Sequence, residues 1–341
     1  MIFLDRINKS LDYFLSKHTN NYLIGEDILD PYGGAFKVSK GLSNKYGKQV
    51  IATPISESGF VGMATGMTFT GANVVVEIMF SDFLTIISDT LINTLSKISL
   101  ISNDLIKGKI IIRTPNGGRR GYGPIHSQSL EKIFFGFSEI NIISLNRFID
   151  PLEVYKKIFS EKYKHKINLI LETKIDYPRQ IISDDYLQKF NFRRIYDNSE
   201  IPIIELCNER DFDTKTDFLF LCYGGVTQEV FDAAVSLFLE EELTSRILIP
   251  QKINPIQDSL IKKVSASKYK KLVIVEENTS NSSWGSLFTS KILSNDIANN
   301  ELVNNITLLG SESELISANI NDENANLINA KKIYSKLVNI L

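Results

Sequence analysis

The sequence has few of the residues that build redox, metal or nucleic-acid sites. Its 341 residues include two cysteines and three histidines, and no C-x-x-C or H-E-x-x-H motif occurs. Cys207 and Cys222 each lie in an apolar, strand-like run, so we interpret them as buried, inert thiols. Lys and Arg number 38 against 40 Asp and Glu, and no basic stripe interleaves with aromatics. Because nucleic acids require a clustered positive face, nucleic-acid binding is not expected.

Long apolar runs are absent as well. The segment 1–20 alternates apolar and charged residues at helical spacing and contains Asp5 and Asp12. A signal peptide or a membrane span needs a longer apolar core, so we expect neither, and we expect a cytoplasmic protein. The sequence also lacks a P-loop and a G-x-S-x-G motif. A phosphate-cradling loop or a serine nucleophile elbow is therefore not indicated.

What the sequence does contain is a regular alternation of short apolar runs and helical patterns, which predicts an α/β fold with mostly parallel sheets. A polar stretch over 174–216 separates two such sets and is interpreted as a linker with some strand content at 202–204. We predict two doubly wound domains, over 1–190 and 191–341. The predicted strands are 22–24, 50–52, 73–78, 109–113, 140–144, 168–172, 218–223, 244–249 and 271–276, and the predicted helices are 35–46, 59–70, 83–96, 130–135, 151–163, 227–240, 258–267, 284–294 and 329–340.

Two glutamates follow predicted strands of the first domain. Glu26 comes after the first strand, and Glu57 comes after the second, within Thr-Pro-Ile-Ser-Glu-Ser-Gly-Phe. Ligands collect at the carboxyl ends of parallel strands, and the residues around Glu57 are interpreted as buried, where an acid is rare unless paired or used in chemistry. Both acids are equally compatible with a structural role at the positive ends of the following helices.

The longest irregular segment of the first half, 113–129, is glycine-rich and contains His126. Long loops in compact domains are often functional, its arginines offer contacts for an anion, and a histidine exchanges protons near neutral pH. A purely structural loop remains the alternative. Phe83 follows another strand, where an aromatic ring can stack on a flat ligand or simply join the core.

Taken together, these stretches resemble the beta subunit of the thiamin-diphosphate-dependent 2-oxoacid dehydrogenases. The matching runs, in the family's order, are Gly25-Glu26-Asp27, the segment 34–42, the segment 53–60, Glu77 to Phe83, and the 113–131 loop with its His-Ser-Gln. The resemblance continues through Cys222-Tyr223-Gly224-Gly225 and the 273–277 run. It therefore covers nearly the whole chain, and it implies a pyrimidine-binding domain followed by a transketolase C-terminal-like domain.

The resemblance implies roles for the site residues. Glu57 corresponds to the catalytic glutamate that hydrogen-bonds the aminopyrimidine ring nitrogen of thiamin diphosphate and favours its imino tautomer. Glu26 corresponds to an acid of the proton-relay network near that ring, and Phe83 to the aromatic that stacks on it. His126 corresponds to the catalytic histidine that faces the substrate or the acceptor. The cofactor supplies the carbon chemistry, and the protein supplies orientation and proton transfer.

The family's diphosphate and Mg²⁺ site depends on a Gly-Asp-Gly…Asn-Asn motif, and no Gly-Asp-Gly occurs here. The family carries that motif on a separate alpha subunit, so the resemblance implies an α2β2 partner and a site shared with it. A lipoyl acyltransferase core is a further implied partner. The segment 315–327 lacks the family's usual proline, which puts this docking in question.

The leading hypothesis is a subunit that decarboxylates a 2-oxoacid and passes the acyl unit to an acceptor such as lipoamide. Two-carbon transfer between sugars, or carboligation, as in transketolase-like enzymes, uses the same site residues and stays open. A non-catalytic scaffold of the same fold is the alternative from another class.

Overall fold

A computed structural model of the chain describes residues 1–101, 105–187, 190–195, 201–281, 283–295, 305–313, 315–338 and 340. The chain divides into two compact units. The first comprises Met1–Asn116 and Ile133–Ile181, and the second comprises Gly117–Lys132 and Ile182–Leu341. The units thus divide after Ile181, whereas the domain boundary after residue 190 stays a prediction. None of the helices described is long and apolar enough to cross a membrane.

The first unit is built on a parallel sheet. Its near-continuous apolar strands are buried on both faces, as expected for a sheet covered by helices. Along the sheet the strands follow the order β5, β6, β4, β3, β1, β2. Their bounds are β1 Asn21–Gly25, β2 Val50–Ala52, β3 Asn73–Glu77, β4 Ile110–Asn116, β5 Asn141–Leu145 and β6 Ile167–Thr173.

The helices of this unit are short except for the first and third. They are α1 Phe3–Lys17, α2 Leu42–Tyr46, α3 Glu57–Phe69, α4 Ser96–Ile101 and α5 Pro151–Ile158. α1 buries Phe3, Ile7, Leu11 and Phe14, an apolar stripe at helical spacing. α5 begins at Pro151 because Asp150 caps it, its side chain accepting a hydrogen bond from the Leu152 amide at 3.0 Å.

Four predicted helices of the first half were wrong in extent, and one of them, 151–163, ends at Ile158. The range 35–46 contains only a 3₁₀ turn, Ala35–Lys37, and α2, because Phe36, Lys37 and Gly41 have positive φ angles. The range 83–96 splits into a 3₁₀ helix Ser81–Thr85 and a π-helical segment Thr90–Leu95 ahead of α4. The range 130–135 forms only the 3₁₀ turn Glu131–Phe134.

The second unit contains a mixed sheet in the order β13, β12, β9, β10, β8, β7. β13, β12, β9 and β10 are parallel, and β8 and β7 are added antiparallel at one edge. The strands are β7 Asn191–Ile195, β8 Ile203–Cys207, β9 Thr216–Cys222, β10 Ser245–Pro250, β11 Lys252–Asn254, β12 Tyr269–Val275 and β13 Ile306–Leu309, and the helices are α6 Thr227–Glu241, α7 Asp258–Ala266, α8 Trp284–Asn295, α9 Ile320–Asn326 and α10 Ala330–Leu337.

The predicted linker over 174–216 is in part a sheet edge. β7 and β8 form an antiparallel pair within it, with Phe192 opposite Leu206. Residues 188–189 and 196–200 of that range lie outside the described residues. Cys207 ends β8, Cys222 ends β9, and both are buried free thiols, which confirms that prediction.

Candidate active site

The carboxyl ends of β1 and β2 bring two glutamates to one edge of the first sheet. β1 and β2 are parallel neighbours, with Gly25 opposite Ala52. The Thr53 amide donates to the Gly25 carbonyl at 3.0 Å, so the segments that follow β1 and β2 stay adjacent beyond the sheet. Glu26 follows Gly25 directly, and Glu57 is the first residue of α3. The two acids therefore follow neighbouring strands at the same edge of the sheet.

Glu57 is buried although the residues before it are not. Only 7% of it is exposed, whereas Ile55 is 84% exposed and Ser56 and Ser58 are exposed. The expectation that its flanks are buried was therefore wrong. Across the described part of the chain, no hydrogen bond or ion pair to the Glu57 carboxylate is found. A buried carboxylate without a partner is costly, so this side chain is poised to bind a donor.

Glu26 is equally buried and lacks a partner on one oxygen. It is 8% exposed, and its Oε1 atom has no hydrogen-bond partner among the described residues. Burial and, next, the negative charge of Glu57 raise its pKa, with further contributions from Asp27 and Glu77. A carboxyl group whose pKa is raised by a neighbouring carboxylate is suited to exchange a proton with a ligand. The Oγ1 atom of Thr53, in the segment that follows β2, is also buried and has no hydrogen-bond partner among the described residues.

Glycine at position 25 allows this crowded edge to form. A Cβ atom there would lie 3.0 Å from the Cβ of Glu77 and 3.1 Å from a methyl of Ile28. Both distances are tighter than ordinary contacts, so a larger residue would push β1 away from β3. The close packing therefore holds the chain just before Glu26 in place.

Phe83 lies in a cluster of aromatic rings after β3. It is half-buried in the 3₁₀ helix Ser81–Thr85. Its ring meets that of Phe80 edge-on, with centroids 6.0 Å apart, and Phe80 meets Phe36 edge-on at 5.9 Å. The partly exposed ring is held by neighbours, so it can stack on a flat ligand without first becoming ordered.

A buried ion-pair network beside the site was missed by sequence reasoning. The guanidinium of Arg113 in β4 pairs with the carboxylates of Glu77 and Glu172, and all three side chains are fully buried. Arg113 had been expected to contact an anion from a loop, but it lies in a strand and meets internal carboxylates. The signal was present, since single charges inside the runs Val-Val-Val-Glu and Ile-Ile-Ile-Arg predict a buried pair.

Glu77 also holds the chain beyond β1. Its carboxylate accepts hydrogen bonds from the Ala35 amide at 2.6 Å and from the Ser39 hydroxyl at 3.2 Å. Gly34 has a φ of 74°, and a Cβ atom there would lie 2.6 Å from a Glu77 oxygen. The Glu77 carboxylate therefore fixes the segment 34–39. Its close approach explains why this segment begins with a glycine.

His126 belongs to the second unit. It is partly exposed in the turn that follows Gly123, whose carbonyl accepts from the His126 amide at 3.2 Å. We call residues Gly117–Lys132 the histidine loop. The roles of Glu26, Glu57, Phe83 and His126 stay predictions.

The histidine loop ends at a cluster of buried acids. The hydroxyl of Tyr223 lies 2.9 Å from Glu131 and 3.3 Å from Glu276, and the Asn278 amide donates to Glu131 at 3.2 Å. Burial raises the pKa of Glu131 to about 7. Glu276 accepts from the amides of Trp284 and Gly285 at the start of α8. These contacts tie the end of the loop to the second sheet.

A cavity of about 100 Å³ lies beside the histidine loop in the second unit. Its lining includes Ser127, whose Oγ atom is fully buried and unpartnered, and Glu277. His126 is not among the lining residues. In the described ranges, no group of three or more His, Cys, Asp or Glu side chains is placed to hold a metal ion.

Comparisons with known proteins place this geometry in a family. The transketolase pyrimidine-binding domain family matches residues 5–175. Over 125 residues the chain is 40% identical to the pyruvate dehydrogenase E1 beta-2 subunit of Oryza sativa subsp. japonica, a match that covers 36% of this chain and 33% of that protein. The human beta subunit is also 40% identical over 125 residues, covering 36% and 34%. The pyruvate dehydrogenase E1 beta subunit of Cyanidium caldarium is 26% identical, and the match covers 100% of this chain and 98% of that protein.

Among solved structures, a split-gene transketolase described as an inactive beta4 tetramer has a TM-score of 0.69. It covers 98% of this chain and 97% of its own length at 13% identity, so it shows the fold alone. The predicted fold class of two α/β domains is confirmed. The resemblance to thiamin-diphosphate-dependent E1 beta subunits is confirmed by the family match and the relatives.

Proposed function

The chain belongs to the family of the transketolase pyrimidine-binding domain, and we propose that it is the beta subunit of an enzyme that decarboxylates a 2-oxoacid with thiamin diphosphate. The observation that carries the proposal is the pair Glu26 and Glu57, which are buried at one sheet edge. Among the described residues, Glu26 Oε1 and the Glu57 carboxylate have no hydrogen-bond partner. Two relatives that match 81% and 100% of this chain are named as pyruvate dehydrogenase E1 beta subunits, and they support this class of reaction.

The first unit has the side chains that suit the pyrimidine half of the cofactor. An aminopyrimidine presents ring nitrogens and an amino group, and it needs carboxyl partners and a stacking surface. Glu57 offers an unpartnered carboxylate, Glu26 an unpartnered buried oxygen, and Phe83 a partly exposed ring. The residues present therefore fit this half of the group.

When bound, the cofactor would supply an acidic ring carbon, whose deprotonated form is the nucleophile toward a 2-oxo group, and an electron sink for decarboxylation. Glu57 binds the ring nitrogen of the pyrimidine and holds a proton at that atom. Glu26, whose pKa is raised by burial and by Glu57, lies beside it as a second group that would exchange a proton within the same site. The two acids orient the ring and move protons, while their burial excludes water.

His126 is proposed as the proton donor or acceptor toward the substrate or the acyl acceptor. The support is its place in the His-Ser-Gln run of the family and its ordered, partly exposed turn. An imidazole exchanges protons near neutral pH without a large pKa shift.

An alpha subunit is the proposed partner, in an α2β2 assembly that completes the site with the diphosphate and Mg²⁺ ligands. The lack of a Gly-Asp-Gly motif in this sequence supports this division. Large apolar side chains on α3 and beside its start are exposed, as expected of a surface that a partner covers: Ile55 is 84% exposed, Met63 45% and Ile86 49%. The Ser58 hydroxyl donates to the Ile86 carbonyl at 2.7 Å, which holds Ile86 beside the start of α3.

A lipoyl acyltransferase core as a further partner, lipoamide as the acceptor and a cytoplasmic location stay proposals, and the relatives include mitochondrial proteins. Transketolase-like transfer or carboligation is the alternative chemistry at the same residues. A scaffold without activity is the alternative that the following experiment separates.

The test uses the chain co-purified with an alpha-type partner, titrated calorimetrically with thiamin diphosphate and Mg²⁺, followed by a 2-oxoacid screen. We expect tight binding of thiamin diphosphate by the mixture of the two subunits and not by this chain alone. Glu57→Gln, which keeps the shape of the side chain, is expected to lower the decarboxylation rate by about 10²–10⁴-fold. Its thermal unfolding midpoint is not expected to fall, because the lost carboxylate has no partner among the described residues.

Glu139→Gln is the matched control, since this exposed glutamate lies in the same unit. Full activity of the Glu57→Gln complex would refute the assigned role. Failure of both the chain and the mixture to bind the cofactor would favour the scaffold.

A further inference from the structure

The start of the histidine loop is held by side chains from far along the chain. Its backbone turns at Gly117, Arg119 and Gly121, which have φ angles of 90°, 72° and 71°. Arg119 is the unusual member, because a residue with a Cβ atom adopts a positive φ at some cost. Contacts elsewhere must therefore stabilise this conformation.

Glu323 supplies the central contact. This residue of α9 is fully buried. One of its carboxylate oxygens accepts from the Arg119 amide at 3.0 Å, and the other accepts from the Gly121 amide at 2.6 Å. A single carboxylate thus binds two N–H groups of the loop, and charge-assisted hydrogen bonds of this kind are stronger than neutral ones.

Glu277 and Glu229 complete the attachment. The Gly118 amide and the Ser129 hydroxyl both donate to Glu277, at 2.7 and 3.2 Å. The side chain of Arg119 lies 3.6 Å from Glu277 and 3.5 Å from Glu229. It also donates to the Ile328 carbonyl just beyond α9. The arginine thereby offsets the negative charge that the three glutamates bring to the loop.

Two glycines make the close approach possible. A Cβ atom on Gly118 would lie 2.9 Å from a Glu323 oxygen, and a Cβ atom on Gly121 would lie 3.2 Å from the Cβ of Ile320. Side chains at these positions would displace α9 from the loop. The glycines therefore serve this attachment as well as the turns.

We propose that Glu323 is a positioning residue for His126: by accepting the Arg119 and Gly121 amides, it fixes the backbone that leads into the His126 turn. The inference deepens the proposed function and rests on the role of His126 given there. Displacing a catalytic group by about 1 Å can cost about 10²-fold in rate, so the effect falls on the catalytic step rather than on cofactor binding.

Glu323→Gln is the sharpest variant. A glutamine has the same shape but only one acceptor oxygen, and its NH₂ group faces an amide N–H that it cannot bind. In the complex with the alpha partner, we expect kcat to fall by about ten-fold or more, with KM and thiamin diphosphate affinity within about two-fold of the parent. Glu312→Gln, an exposed glutamate of the same unit, is the matched control.

The second readout is a double-mutant cycle with His126→Ala. If Glu323 acts through His126, then adding Glu323→Gln to His126→Ala lowers kcat little further. Multiplicative losses in the double variant would overturn the proposal.

The third readout does not depend on activity. Trypsin cleaves after Arg119 and Arg120, within the attached segment, and cleavage requires the loop to open. We expect Glu323→Gln to be cut there faster than the parent and the Glu312→Gln control. Unchanged cleavage would overturn the positioning role even if the complex has no decarboxylase activity, so the two proposals can fail separately.

If Glu323→Gln does not fold, Asn319→Ala tests the same attachment. Asn319 is the exposed N-cap of α9 and accepts from the Asn321 amide at 2.8 Å. Its removal loosens α9 while Glu323 remains. A smaller fall in kcat and faster cleavage are expected, and the absence of both would overturn the proposal.

Discussion

The first unit contains two pairs of buried carboxylates, of which one pair forms ion pairs with an arginine and the other does not. Glu77 and Glu172 are bound by Arg113 from the strand between them, and all three side chains are inaccessible. Glu26 and Glu57, at the ends of β1 and β2, have no such cation among the described residues. Burial alone therefore does not mark a functional acid, because paired acids stabilise the sheet while unpaired ones remain available to a ligand.

The first prediction breaks the paired set. Arg113→Met leaves Glu77 and Glu172 buried without a cation, so we expect the free energy of unfolding to fall by about 3–5 kcal/mol. Urea denaturation measures it, with Lys107→Met, an exposed position of the same unit, as the control. A variant as stable as the control would show that the ion pairs of Arg113 contribute little to stability. The distinction between paired acids that stabilise the sheet and unpaired acids that await a ligand would then be wrong.

The second prediction concerns an intermediate case in the second unit. Burial raises the pKa of Glu131 from 4.5 to about 7, although Tyr223 and Asn278 bind it. The folded state therefore keeps the proton to higher pH, and stability falls by about 1–3 kcal/mol as pH rises from 4.5 through about 7. Glu131→Gln should remove this slope. Parallel pH profiles of the free energy of unfolding for parent and variant would contradict it.

The third prediction, with the smallest effect, sharpens the unpaired set. The pKa of Glu26 is raised by burial and by Glu57. The same sign applies: stability falls as pH rises above the ordinary carboxyl pKa, by less than for Glu131. Glu26→Gln should flatten this part of the profile, measured by thermal unfolding between pH 4 and 7. In Glu57→Gln the slope should shrink, because one source of the shift is gone, and an unchanged slope would show that the two acids do not interact.

Much of the fold was predictable because it follows local patterns. The six strands of the first sheet were all predicted within a few residues, since continuous apolar runs bounded by turn residues indicate buried parallel strands. Helices failed where tertiary contacts override propensity. The segment 35–46 has helical composition, yet the Ala35 amide donates to Glu77 instead of to a helical carbonyl. Positive φ angles at Phe36, Lys37 and Gly41 also interrupt the helix.

The position of the candidate residues in the fold was predictable, but their surroundings were not. Glu26 and Glu57 were selected because both follow strands and parallel strands deliver their carboxyl ends to one edge, and their roles stay predictions. The exposure of Ile55 and Ser56 was missed, because an apolar sequence around an acid looks the same whether the core or a partner subunit covers it. Likewise, Arg113 was placed where the predicted strand 109–113 meets the loop and was expected to contact an anion, since the carboxylates that bind it lie on strands distant in the chain.

The sequence by itself determined the order of strands and helices, the family, and the residue types at the site. These depend on patterns within a few residues of one another. Only the tertiary structure decided which acids have a cation, that the histidine loop joins the second unit, and that Glu323 holds it. Those outcomes depend on contacts such as Arg113 with Glu172 and Gly121 with Glu323, and no local pattern specifies a contact between residues so far apart.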